Sequence, residues 1–228
     1  MKAFILAGGL GTRLQPRFGT LPKPLAPLGG RPFLARQLEW LAGEGVRDAV
    51  ILAGHGAEQL RGELGDRAGD VTLAWSVESE PLGTAGALRL AAAHLEGPVF
   101  VLNGDTLAEG DPWALERDRW ERGALGAVAL YEVTDARARG RVEATPEGRI
   151  TRFVEKDDTW RGPAWVNGGL YAFTPAFWRE LAAGPSLERD VLPAVAARGL
   201  LHGRRCAGRF WDIGTPEDWE RAERELAR

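Results

Sequence analysis

Apolar residues along this chain come in short runs separated by stretches of helical period. Residues 3–6, 49–53 and 98–102 are unbroken apolar runs, which predicts strands buried on both faces of a parallel sheet. Residues 71–77 predict a further strand. Between them, 31–43 carries Leu34, Leu38, Trp40 and Leu41 on one helical face and ends at Gly43 and Gly45. Residues 57–64 read as a short polar helix, and 86–95 as a helix with Leu88, Leu90 and Ala92 inward. Strand and helix alternating in this way predict right-handed βαβ units.

The second half changes character. A helix over 111–122 leads to strands at 125–133, 140–144, 150–154 and 164–173. Thr145-Pro146-Glu147-Gly148 joins two of these as a hairpin turn. Helices follow at 174–183 and 187–197, a strand at 200–206, and a charged helix at 217–226 with Thr215 as its cap. The expectation is an α/β fold with a mixed, mostly parallel sheet and antiparallel additions. No repeat, linker or low-complexity segment divides residues 1–228, and no hexapeptide β-helix tail follows, so one domain is expected.

Composition narrows the partners. The net charge is −3 over 228 residues, without a long basic run, which argues against nucleic acid or an anionic membrane. No run of about 18 apolar residues could span a bilayer, and the start does not read as a signal peptide. Cys206 is alone, so a reducing cytoplasm is expected. Lysine occurs only at 2, 23 and 156, and asparagine only at 103 and 167. In a chain otherwise rich in arginine, this suggests sites where a compact point charge is required rather than a planar fork.

The chemistry starts at Leu6-Ala7-Gly8-Gly9-Leu10-Gly11-Thr12-Arg13-Leu14, directly after the first strand, followed by Pro22-Lys23-Pro24. Glycine lets backbone N–H groups approach an anion. With Arg13 as a fixed cation and Lys23 as a mobile one, the loop can cradle a triphosphate. It is neither a P-loop nor a dinucleotide fingerprint, because Leu14 stands where the third glycine would be. Pro22 and Pro24 predict an extended, stiffened segment around Lys23. Asn103-Gly104-Asp105 follows the fourth strand, so both loops line one sheet edge, where Asp105 is a hard oxygen ligand for Mg²⁺. Asp212 sits among aromatic and apolar neighbours and needs a partner.

Glu78 and Glu80 flank Ser79, and strand alternation predicts both carboxylates on one side. A carboxylate accepts the two adjacent donors of guanine, N1–H and the exocyclic amine. Glu155-Lys156 reads either as a strand-end ion pair or as a substrate contact, and Asn167-Gly168-Gly169 either as a β-bulge or as a sugar contact. Ser186-Leu187-Glu188-Arg189-Asp190 reads as a capping-box variant without chemistry. His55, His94 and His202 lack metal-ligand spacing and read as surface or packing residues.

The glycine loop with its P-K-P resembles the signature of the sugar-1-phosphate nucleotidylyltransferases, the nucleotide-sugar pyrophosphorylases. The likeness runs from Ala3 to Asp218 and is greatest to the D-glycero-D-manno-heptose 1-phosphate and mannose-1-phosphate guanylyltransferases, through Glu78-x-Glu80-Pro81-Leu82-Gly83-Thr84. It implies a three-layer α/β/α Rossmann-like fold, with residues 1–110 binding nucleotide and 111–228 binding sugar phosphate. Leu6, Ala7, Gly8, Gly9, Gly11, Thr12, Arg13, Lys23, Glu78, Glu80, Gly83 and Thr84 would hold the NTP. Asn103, Gly140, Glu155, Lys156, Asn167 and Gly169 would hold the sugar 1-phosphate. Asp105 and Asp212 would bind Mg²⁺, and Arg13, Lys23 and Lys156 would be catalytic. The implied reaction is guanylyl transfer from GTP by a monomer or homodimer. Uridylyl or thymidylyl transfer to a hexose or N-acetylmuramate 1-phosphate, and a non-catalytic sensor, are the alternatives. In Ala138-Arg139-Gly140 the aromatic residue that relatives carry before the glycine is absent.

Overall fold

The structure, a computed structural model, describes residues 1–137 and 139–226, so Ala138 lies outside the described residues. The strands are β1 (Lys2–Leu6), β2 (Pro27–Leu28), β3 (Arg31–Pro32), β4 (Asp48–Ala53), β5 (Arg67–Ala68), β6 (Val71–Val77), β7 (Val99–Asn103) and β8 (Thr106–Ala108). They continue as β9 (Gly126–Val133), β10 (Arg141–Ala144), β11 (Ile150–Val154), β12 (Ala164–Phe173), β13 (Leu201–Arg205) and β14 (Phe210–Asp212). The α-helices are α1 (Gln15–Phe18), α2 (Phe33–Gly43), α3 (Ala57–Leu64), α4 (Gly83–Leu90), α5 (Pro112–Glu121), α6 (Leu192–Ala197) and α7 (Pro216–Leu226).

The three apolar runs and the strand at 71–77 lie side by side as β7-β1-β4-β6, all parallel, with Phe4 opposite both Val50 and Val101. Their carboxyl ends, at Leu6, Ala53, Val77 and Asn103, therefore share one edge. Alternate residues of β1 feed two cores: Ala3 and Ile5 pack under α2 and α3, and Phe4 packs under α4 and the segment after it. This double burial explains the absence of polar alternation. Fully burying each such leucine or phenylalanine contributes roughly 1.5–3 kcal/mol. β12 joins β7 antiparallel and carries β9 on its other side, and β13 closes that side parallel to β9. The sheet is thus mixed, and parallel among its four central strands, as expected.

Several elements differ from the sequence expectation. Residues 174–183 form a 3-10 segment, Pro175–Ala183, capped by Thr174 through the Phe177 N–H at 3.2 Å. Residues 187–197 begin as a π turn, Leu187–Val191, before α6. Pro193 has no N–H, so an α ladder cannot pass unbroken through it. α4 starts three residues earlier than expected, at Gly83, and gives way to a 3-10 turn at Ala91–His94. The β2–β3 ribbon occupies the start of the predicted 31–43 helix, and Pro32 precedes its first turn.

A third, smaller core sets the site. Leu14, Leu28, Phe33, Trp211, Ile213 and Trp219 bury one another. Trp219 Nε1 donates to the Pro27 carbonyl at 2.8 Å. This cluster fastens α7 and the strand before it against the loop that follows β1. No helix of the described residues is long and apolar enough to cross a membrane.

Candidate active site

The shared sheet edge holds a cavity of about 300 Å³. It is lined by residues 6–10, Lys23, Pro24, Glu78, Pro81, Gly83, Thr84, Ala87, Asn103, Gly104, Asp105 and Glu188. Two loops meet at its floor. The Gly104 N–H donates to the Leu6 carbonyl at 2.9 Å, and a Cβ on Gly104 would stand 2.5 Å from that same oxygen. Only glycine lets the Asn-Gly-Asp turn close onto the first loop this tightly.

Lys23 Nζ donates to Asp105 Oδ2 at 2.7 Å. The lysine side chain is 11% exposed and the aspartate 36%. Lys23 does not sit in an extended segment: Lys23–Leu25 form one 3-10 turn, with Leu25 N bonded to Pro22 O at 2.8 Å. Pro24 stands early in that turn, where its missing N–H leaves nothing unsatisfied.

Asp212 arrives from the far end of the chain. β14 pairs antiparallel with β8, placing Asp212 opposite Thr106, and Ile213 N donates to the Asp105 carbonyl at 2.9 Å. Asp212 Oδ1 accepts the Gly214 N–H at 2.7 Å, and Arg139 Nη1 stands 3.6 Å from Oδ2. Arg139 also reaches Asp218 Oδ1 at 3.4 Å and stacks over Phe210. Burial first, then the negative charge of Asp105, push the Asp212 carboxyl above its ordinary range, against the pull of Arg139 and Lys23. A buried carboxyl raised by a second carboxylate beside it fits a cation between the two. No group of three or more His, Cys, Asp or Glu side chains among the described residues could hold a metal. A hard ion here would complete its shell with phosphate oxygens and water.

The first loop divides. Residues 6–10 line the cavity, while Gly11, Thr12 and Arg13 lie outside its lining. Gly11, at φ +60°, turns the chain into Thr12–Leu14, and buried Leu14 anchors that turn in the third core. A Cβ on Gly214 would lie 3.5 Å from Arg13 Nη2, so Arg13 stands beside the Asp212 turn.

Glu78 and Glu80 part company. β6 ends at Val77, so strand alternation does not carry through both carboxylates. Glu78 lines the cavity, with Oε1 about 3.0 Å from where a Gly8 Cβ would be and Oε2 accepting the Leu82 N–H at 3.2 Å. Glu80 is exposed and outside the lining. Thr84 lines the cavity with its hydroxyl engaged: Oγ1 donates to Glu188 Oε2 at 3.0 Å and accepts the Leu187 N–H at 2.7 Å.

The residues expected for the sugar phosphate fall into two sets. Asn167 Nδ2 donates to the Tyr171 hydroxyl at 2.8 Å, and its Oδ1 accepts the Gly169 N–H at 3.0 Å. The register of β12 on β9 shifts between Asn167 and Tyr171, so the bulge is present. Gly169, at φ +69°, packs against Asn103, which lines the cavity. Gly140, Glu155 and Lys156 lie outside the lining, and Glu155 and Lys156 are exposed beyond the end of β11. No Glu155–Lys156 ion pair forms among the described residues.

Glu188 is the charged lining residue that sequence reading passed over. Ser186 Oγ accepts the Arg189 N–H at 3.1 Å, and Asp190, not Glu188, returns a bond to the Ser186 N–H at 2.8 Å. The segment carries two acids where the cap uses one, which is the signal that could have found it. Burial drives the Glu188 carboxyl up, opposed by hydrogen bonds from its own backbone and Thr84. A carboxyl whose native pKa is raised adds stability while protonated and loses it as pH rises through that native value. Glu188→Gln is therefore expected to raise Tm by about 2–4 °C at pH 8 and leave it unchanged at pH 4, measured by thermal melts.

The chain matches the nucleotidyl transferase family over residues 2–228. It is 37% identical over 227 residues to the mannose-1-phosphate guanyltransferase of Aspergillus fumigatus, covering 96% of this chain and 62% of that one. It is 36% identical to the mannose-1-phosphate guanylyltransferase catalytic subunit beta of Danio rerio over the same shares. This chain thus spans about 62% of the length of these curated relatives. Among solved structures, HddC from Yersinia pseudotuberculosis superposes with a TM-score of 0.87 at 30% identity, covering 99% of both chains. The same protein complexed with GMP-PN gives 0.85 at 29%. With the mostly parallel sheet and the glycine loop at its carboxyl edge, these likenesses converge: the chain belongs to the nucleotidyl transferase family.

Proposed function

We propose that this chain transfers a guanylyl group from GTP to a sugar 1-phosphate and releases pyrophosphate. The observation that carries the reading is the convergence of Lys23, Asp105 and Asp212 beside the glycine loop. A sugar phosphate oxygen attacks the α-phosphorus, and the bond from that phosphorus to the pyrophosphate oxygen breaks. Loop amides from Gly8, Gly9 and Gly11, with Thr12 and Arg13, hold the β- and γ-phosphates. Lys23 holds the α-phosphate, and Lys156 with Glu155, Gly140, Asn167, Asn103 and Gly169 hold the sugar phosphate. Asp105 and Asp212 would hold Mg²⁺, which supplies charge neutralisation at the phosphates when bound. The attacking phosphate is already anionic, so no strong general base is required. Catalysis is positioning plus electrostatics. A sensor would have no use for Asp105, Asp212 and Lys23 together.

Glu78 supports guanine as the base, because its carboxylate lines the cavity against Gly8. The names of the relatives support the same choice, and mannose 1-phosphate is the first sugar phosphate to try. The test is pyrophosphate release over a matrix of GTP, ATP, UTP and dTTP against several sugar 1-phosphates. GTP is expected to lead, and a pyrimidine nucleotide turning over faster would overturn the base assignment. Glu78→Gln is expected to lower kcat/KM for GTP by about 10–100-fold, the cost of one mismatched buried hydrogen bond. It should lower that for UTP far less.

A further inference from the structure

A second hollow lies at the opposite end of the sheet. β12 runs antiparallel to β7, and β9 antiparallel to β12, so β9 and its parallel neighbour β13 start at the edge away from Leu6 and Asn103. Beside those starts, a cavity of about 300 Å³ is lined by Arg122, Thr145, Glu147, Arg149, Gly199 and His202, among others.

His202 lies at the floor and is only 7% exposed. A Cβ on Gly148 would stand 2.9 Å from its Nε2, so the ring lies under the hairpin turn. Neither ring nitrogen makes a hydrogen bond among the described residues. The nearest carboxylate, Asp118 Oδ2, is 3.9 Å away and already accepts from Arg204 at 2.5 Å. The ring nitrogens are not among the fully buried unpartnered atoms, so the imidazole, for all its burial, stays open to the hollow. Arg122 and Arg149 stand exposed at the rim, and neither guanidinium makes a hydrogen bond or ion pair among the described residues. Arg122 follows α5, and Arg149 closes the hairpin turn with its Cδ 3.8 Å from where a Gly199 Cβ would be, so both guanidiniums border the hollow. Glu147 is the one acid in this lining, and its carboxyl is held low first by its own backbone and by Thr145, then by the two arginines.

We propose that this hollow binds a small phosphomonoester, whose phosphate oxygens meet the Arg122 and Arg149 guanidiniums and the His202 imidazole. The planar guanidinium fork matches a phosphate, and His202 supplies the hydrogen-bond donor that inward-facing oxygens need. The cavity has more room than a bare phosphate fills, and Ala124 and Leu201 give the ester's carbon skeleton an apolar wall. The site is separate from the nucleotide cleft, so a ligand here would act on the enzyme without competing for its substrates.

The test uses glycerol 3-phosphate and inorganic phosphate as probes, read by the ring proton signals of His202, one of three histidines in the chain. Glycerol 3-phosphate should shift those signals in the native chain and in Lys23→Ala with the same midpoint. Arg122→Gln/Arg149→Gln should raise the midpoint about tenfold or more, the loss of charge-assisted hydrogen bonds, while the thermal melt stays unchanged. Each single variant should weaken binding by an intermediate amount, which serves if the double variant melts early. No shift at millimolar ligand, an unchanged midpoint in the arginine variants, or loss of the shift in Lys23→Ala would overturn the proposal. Inorganic phosphate binding as tightly as the ester would overturn the assignment of a monoester.

Discussion

Asp105→Asn is expected to lower pyrophosphate release by roughly 10³-fold or more while the chain stays folded. The asparagine keeps the volume and the backbone carbonyl that accepts from Ile213, so the clasp between the two acidic segments survives. The substitution removes one of two negative charges that face each other across the site. It also leaves Lys23 Nζ, now 2.7 Å from a carboxylate oxygen, with at most a neutral amide acceptor. Asp105 is more than a third exposed, so this ion pair contributes at most about 1 kcal/mol to stability after solvent screening. The melt should therefore move little. With Asp105 neutral, Asp212 loses one of the influences that raise its carboxyl pKa, yet it would hold a divalent ion alone and weakly. Turnover, Mn²⁺ binding and a thermal melt on one preparation check all three. Turnover at the native rate would remove Asp105 from the mechanism.

Lys23→Ala is expected to move two readouts in opposite directions. Turnover should fall by about 10²–10³-fold, the loss of one preorganised cation at the α-phosphate. Binding of a divalent ion to the free protein should tighten, because the ammonium that occupies Asp105 Oδ2 is gone. A lysine that only stabilised the fold would leave metal affinity unchanged and shift the melt instead. Lys23→Arg should not restore turnover. A planar fork spreads its charge over several nitrogens and does not reproduce the single compact ammonium that meets Asp105 Oδ2 at 2.7 Å.

Much of the fold was legible because the central strands are buried on both faces. The runs at 57–64, 71–77 and 164–173 agree with the structure to the residue. The β8–β14 ribbon was not legible. Three residues carry no readable period, and Phe210–Asp212 finds its partner about a hundred positions away. That ribbon is what seats Asp212, so pattern alone could argue that the aspartate needed a partner but not which partner it met. The alternation that put Glu80 on the same side as Glu78 failed because β6 stops one residue before Glu78, and a strand's end is the least readable part of it. Glu188 was hidden by a capping reading that Asp190 satisfies. Glu155 and Lys156 entered through a family likeness, which carries residue types but no distances, and they stand exposed away from the cavity lining.

The indole of Trp219 has one further consequence. By gripping Pro27 and the small core around Leu14, it ties the final helix to the opening loop. The gap between the two acids thus depends on the protein's margins as well as on the sheet edge that carries Asp105. Any strain on that helix, from a bound neighbour or from polypeptide joined beyond it, would be felt first in the spacing of Asp105 and Asp212 and only later as unfolding.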